Sequence, residues 1–379
     1  MRRLILTTAL LLILAACGPD TTTAEAPADG GSAGASSTLD AAQDAVDDAA
    51  GNGGTGAELP EESDVYGLPD RSIAIVPLED VFFDTFDGGS IPLSEASDDD
   101  ILDLLDRIPP IDTPPYISPE EDDWLNPEDP VLGYIADDGQ AYAYPHKILN
   151  FHEIVNDVFA DVPVLISYCP LCNSGVVFDR RPNDLRHDGV LSFGNTSALF
   201  DNDLVMIDRQ TSSYWWQVPG RAIVGSLAGA ELTVLPSVTT TWAQWLADEP
   251  DTLLLSRDLG FNINYDRELF VGYADRVNSG DTPFPVTNGV LADNRLVPAA
   301  QVIAIEVGED AVAVPVEELT DELEVEVGGV AHVIVPDGAG GARAFMITED
   351  GSREPAPSRS TFWFAYVASF PAARVVLPG

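Results

Sequence analysis

From Val131 to the end of the chain, short runs of apolar and β-branched residues alternate with turn residues, and helical spacing survives in only a few places. A chain written this way buries its apolar surface as sheets. The expectation is an α+β, β-rich fold of mixed and antiparallel sheets with a few short helices. Upstream, Ile73-Ala74-Ile75-Val76 reads as a strand. Ser97, followed by Asp100 and then Ile101, Leu102, Leu104 and Leu105, reads as a capped helix. Residues 240–247, stopped by Pro250, read as another. The β-rich part also repeats itself. Residues 131–135 pass through an acidic turn into 141–145 and then Leu149, and residues 302–305 pass through another into 311–315 and then Leu319. Each copy reads as a hairpin running into a Pro-initiated helix and then a strand, which places two pseudo-repeats at about 131–180 and 302–346.

Charge narrows the function. The 379 residues carry 18 Lys+Arg and 63 Asp+Glu, a net −45, and Lys147 is the only lysine. A surface this acidic repels phosphate backbones and anionic lipid, which excludes nucleic acid and a polybasic membrane contact as partners. Hydrophobic residues still make up 45% of the chain, enough for a real core. The N-terminus reads as an address. Arg2-Arg3, an apolar run over 4–16 and then Cys17 form a signal peptide too short to span a membrane. Leu14-Ala15-Ala16-Cys17 resembles the bacterial lipobox, so Cys17 is the expected lipidation site and its lipid the only membrane contact. Residues 17–64 lack bases and aromatics and read as an acidic flexible tether of about 40 Å root-mean-square span. Residues 65–379 then form the body. The expected location is extracytoplasmic and membrane-anchored.

With Cys17 lipidated, Cys169 and Cys172 are the only thiols left. They sit in Cys169-Pro170-Leu171-Cys172 between apolar runs at 162–167 and 175–178, a strand-to-strand turn. Such a turn aims two sulfurs at one metal, or lets two thiols form and break a disulfide. The plain alternative is an inert disulfide. Ile148, His152 and Val155 share one helical face, so His152 is expected to point inward towards the sulfurs, with Glu153 or Asp157 as an oxygen ligand or partner. A set of Cys169, Cys172, His152 and Glu153 suits copper or zinc. As a redox centre, one thiol attacks, the other resolves, and His152 is the base. A non-enzymatic alternative makes Cys169–Cys172 a fixed disulfide and uses Asp179, Arg180, Asp208, Arg209 and Trp216 as a small-molecule pocket. Aromatics at the spacings of Trp215, Trp216, Trp242 and Trp245 more often serve as core.

Several ordered motifs carry a family resemblance. His152-Glu153-Ile154-Val155-Asn156-Asp157, Tyr168-Cys169-Pro170-Leu171-Cys172, Phe178-Asp179-Arg180, Leu204-Val205-Met206 with Asp208-Arg209-Gln210-Thr211, and Trp242 with Trp245 together resemble the DUF3179 family over about residues 130–319. The resemblance implies little about activity, since the family is a domain of unknown function. Some members carry selenocysteine in the Cys-Pro-Leu-Cys motif, which implies a redox or metal-ligand role there and a redox or metal-delivery partner. The family has Gly after the second Cys, where this chain has Asn173, a residue that tolerates the left-handed backbone of a tight turn.

Overall fold

The computed structural model describes residues 66–287 and 289–378. The leader, Cys17 and the acidic tether lie outside the described residues. Within them, strands gather in sheets of six, nine, five and four strands. The α-helices are Asp98–Leu104, His146–His152, Trp242–Asp248, Tyr273–Asn278 and Trp363–Ser369, none longer than seven residues. Helices of two turns gain little from their own hydrogen bonds. The core is therefore made between sheets, and the fold is α+β and β-rich.

The nine-stranded sheet positions the thiols. Its middle strands Ile154–Phe159, Val162–Cys169 and Ser174–Asp179 pair antiparallel in sequence order. Side chains of Val162–Cys169 alternate between two apolar clusters. Val164, Ile166 and Tyr168 pack with the helix His146–His152, while Leu165 and Cys169 face a cluster shared with the six-stranded sheet. Burial on both faces explains why this strand reads as one unbroken apolar run rather than a polar–apolar alternation. From the six-stranded sheet, Phe193, Leu204, Met206 and Trp215 complete the shared cluster.

Three elements differ from the sequence expectation. The helix ends at His152 because Glu153 takes a left-handed conformation, φ 57°, and a strand starts at Ile154. Val155 therefore belongs to a strand, and the apparent helical spacing from Ile148 runs across the break. Residues 73–76 make a single bridge, Ala74 to Val224, with no strand around it. The two similar hairpins both form, Pro130–Ile135 with Ala141–Pro145 and Gln301–Val307 with Asp310–Pro315, but in different sheets. The first runs into a seven-residue α-helix, the second into one 3-10 turn, Val316–Glu318.

The remaining expectations describe packing. Ser97 caps Asp98–Leu104 in a reciprocal capping box with Asp100. Trp245 of the helix Trp242–Asp248 lies flat on Gly133, where any Cβ would overlap the indole. Trp215, Trp216, Trp242 and Trp245 are all core residues.

Candidate metal centre

Between the strands Val162–Cys169 and Ser174–Asp179 the chain turns through the 3-10 segment Pro170–Cys172 and Asn173, with Cys169 paired to Ser174. Asn173 has φ 43° and ψ 46°, the left-handed corner that closes the turn. Its side chain is tied on both sides: Tyr168 Oη donates to Oδ1 at 3.1 Å, and Nδ2 donates to Gln301 Oε1 at 2.9 Å. The turn leaves both sulfurs on its inner side, 1% and 0% exposed. They are free thiols, not a disulfide.

A third group arrives from the six-stranded sheet. Phe193–Phe200 and Asp203–Asp208 are joined by the two residues Asp201 and Asn202, both at positive φ as a tight hairpin loop requires. The loop sets Asp203 at the start of its strand, facing the cysteine turn. Cys172 Sγ lies 3.3 Å from Asp203 Oδ1 and 3.3 Å from the main-chain oxygen of Asn202. The other carboxylate oxygen, Oδ2, accepts from the Val218 amide at 2.9 Å. The two sulfurs and one carboxylate oxygen of Asp203 all lie within 4.8 Å of one another. A tetrahedral metal bound at about 2.0–2.3 Å needs ligand atoms under 4 Å apart, within small side-chain adjustments of this arrangement.

Electrostatically the cluster is one-sided. Burial pushes both thiols up, Cys172 well above the usual thiol range, with the Asp203 charge adding to the effect. Burial likewise pushes Asp203 up to about 7. Glu153, beside the cluster, is pushed up to about 8, and its Oε2 accepts from Asn195 Nδ2 at 2.6 Å. The charges that act on these four groups are mainly one another's. Without a cation, the cheapest state is the protonated one.

His152 is not part of the cluster. The ring is fully buried, but Nδ1 donates to the Pro109 carbonyl at 2.8 Å and Nε2 accepts from Tyr265 Oη at 2.8 Å. Burial lowers it to about 4, so it is a neutral core histidine with both nitrogens used. Asp157 accepts from Tyr116 Oη at 2.8 Å and from the Val158 amide, and is not a member of the cluster. Each of the proposed pocket residues is engaged with a partner inside the protein. Asp179 pairs with Arg181, Arg180 donates to the carbonyls of Leu191 and Asp157, and Asp208 accepts from Trp215 Nε1. Arg209 pairs with Asp112, and Trp216 packs edge-on against Phe200. Lys147 bridges Asp129 and Asp266 at the surface.

A comparison with protein-family models matches residues 105–373 to the family described as a protein of unknown function, DUF3179. The chain belongs to the DUF3179 family. The DUF3179 match contains every residue of the cluster. Comparison with curated proteins and with solved structures finds no match. Within the DUF3179 segment, Asp203 is the member of the cluster that residue patterns miss, because it reads as an acid flanking an apolar strand. A signal was present: Asp201-Asn202 between two apolar runs is a two-residue hairpin loop, and it fixes Asp203 as the first residue of its strand.

Proposed function

We propose that this DUF3179 protein binds a soft metal ion through Cys169, Cys172 and Asp203. The observation that carries this reading is the convergence of two buried sulfurs and a buried carboxylate oxygen with no basic side chain hydrogen-bonded to any of them among the described residues. Two thiolates and a carboxylate suit zinc, and the sulfur pair suits copper(I). A cation reverses the local electrostatics, displacing the thiol protons and stabilising three anions that burial otherwise neutralises. Simple thiol exchange is poorly supported, because an attacking thiol needs exposure and a lowered pKa, and these thiols have the opposite of both. We also propose that the chain is exported and lipidated on Cys17, which would set the centre in an oxidising compartment where a bound metal protects the thiols. No described helix is long and apolar enough to cross a membrane.

Elemental analysis of the full-length protein, purified without added metal and again after loading with zinc or copper(I), tests the centre. One equivalent per chain is expected, lost in Cys169→Ser and Cys172→Ser and weakened in Asp203→Asn. Stoichiometric binding that survives both cysteine substitutions removes the proposal. Mass spectrometry of the N-terminal peptide reads lipidation of Cys17 directly.

A further inference from the structure

Resting on the metal reading above, the geometry points to a coordination position left open on the Cys169 side of the centre, which takes a neutral ligand of one to three non-hydrogen atoms. Three protein ligands complete neither a tetrahedral structural site nor, among the described residues, find a fourth His, Cys, Asp or Glu atom in reach. On the Cys169 side lies a cavity of about 40 Å³, walled by Cys169, Leu204, Glu153 and Asn195. The volume admits a water-sized molecule and is far below the several hundred Å³ of an organic-ligand pocket. Its mouth is apolar and only half-buried, formed by Phe86, Ile108, Leu199 and Phe270. Its polar lining is Glu153, held against Asn195, together with Asp84 and Ser197.

That combination selects a ligand. Size excludes organic molecules. Two thiolates and the Asp203 carboxylate oppose an anion next to the metal. A neutral molecule such as water, carbon monoxide or nitric oxide meets neither objection, and it passes an apolar mouth without a large desolvation cost. Glu153 lines the same cavity and is placed to hydrogen-bond whatever occupies it.

Carbon monoxide on the copper(I)-loaded full-length chain is the probe, read by infrared spectroscopy. Loading is verified first: failure to hold one equivalent of copper(I) against a competing chelator, or equal retention by Cys169→Ser, sinks the metal reading itself. With loading established, a single carbonyl band is expected, and Glu153→Gln should shift it without changing copper content. Leu199→Trp, which fills the mouth, should abolish the band while copper stays bound, and Ile108→Trp repeats the test if the first variant fails to fold. A copper-loaded native chain that gives no carbonyl band overturns the open position and leaves the metal reading standing. A band unmoved by Glu153→Gln and unaffected by both mouth substitutions overturns the assignment to this cavity.

Discussion

Asp203 is pushed up from an ordinary value of 3.8 to about 7 by burial. The folded state therefore holds this proton where the unfolded chain has lost it. Stability from this group is fully present below about pH 4, falls as pH rises towards 7, and is level above, with a total loss on the order of 4 kcal/mol. Asp203→Asn should flatten that part of the pH–stability curve of the metal-free protein, measured by thermal unfolding from pH 4.5 to 7.5. Identical slopes in the two proteins would mean that Asp203 is already charged in the fold. His152→Phe makes the opposite test. It leaves the Pro109 carbonyl and Tyr265 hydroxyl without a buried partner, so it should cost about 1–3 kcal/mol in urea unfolding yet keep full metal stoichiometry. Residue patterns did reveal that His152 is inward, because apolar spacing reports burial. They could not reveal what the ring meets, since Pro109 and Tyr265 lie 43 and 113 residues away in the chain. Asp203 was hidden for a related reason. A buried carboxylate at a strand end has the same sequence appearance as a solvated one.

The cysteine turn shows what was legible at the level of elements. Two apolar runs flanking Cys-Pro-Leu-Cys identify a hairpin, and Asn173 occupies the left-handed corner that this position was expected to need. Asn173→Gly should keep the turn and the metal while losing the Tyr168 and Gln301 hydrogen bonds, a modest fall of about 1–2 kcal/mol. Asn173→Val adds a left-handed penalty of about 1–2 kcal/mol for a branched residue and moves the Cys172 sulfur, so metal affinity should fall with stability. Equal affinity in the two variants, by competition with a chelator, would show that the turn does not set the sulfur geometry. Less legible was the boundary at Glu153, where a helical spacing happens to continue across a left-handed residue into a strand. Nor does local pattern tell which sheet a hairpin joins, because pairing partners are chosen by surfaces distant in sequence. Hence the two similar hairpins were readable as hairpins, whereas their separate sheets were not.

At the scale of the whole molecule, charge links the surface to the buried centre. With 63 acids against 18 bases, most surface carboxylates have no basic partner available to them. Three of the arginines that pair, Arg181 with Asp179, Arg186 with Asp184 and Arg295 with Asp293, do so only two residues away near the surface, where such pairs contribute little. Repulsion among unpaired acids should therefore outweigh ion-pair loss when salt is added, and Tm should rise between 10 mM and 1 M KCl as the screening length falls from about 30 to about 3 Å. The same field has a kinetic consequence. A negative surface concentrates cations near the chain, so the rate of metal uptake should fall with ionic strength while stability rises. Stopped-flow loading with a cobalt(II) salt, followed by the sulfur-to-metal charge-transfer absorbance, separates the two effects. Opposite salt trends for uptake rate and Tm are the expected result, and an uptake rate indifferent to salt would mean that entry through the apolar mouth, rather than capture from solution, limits loading.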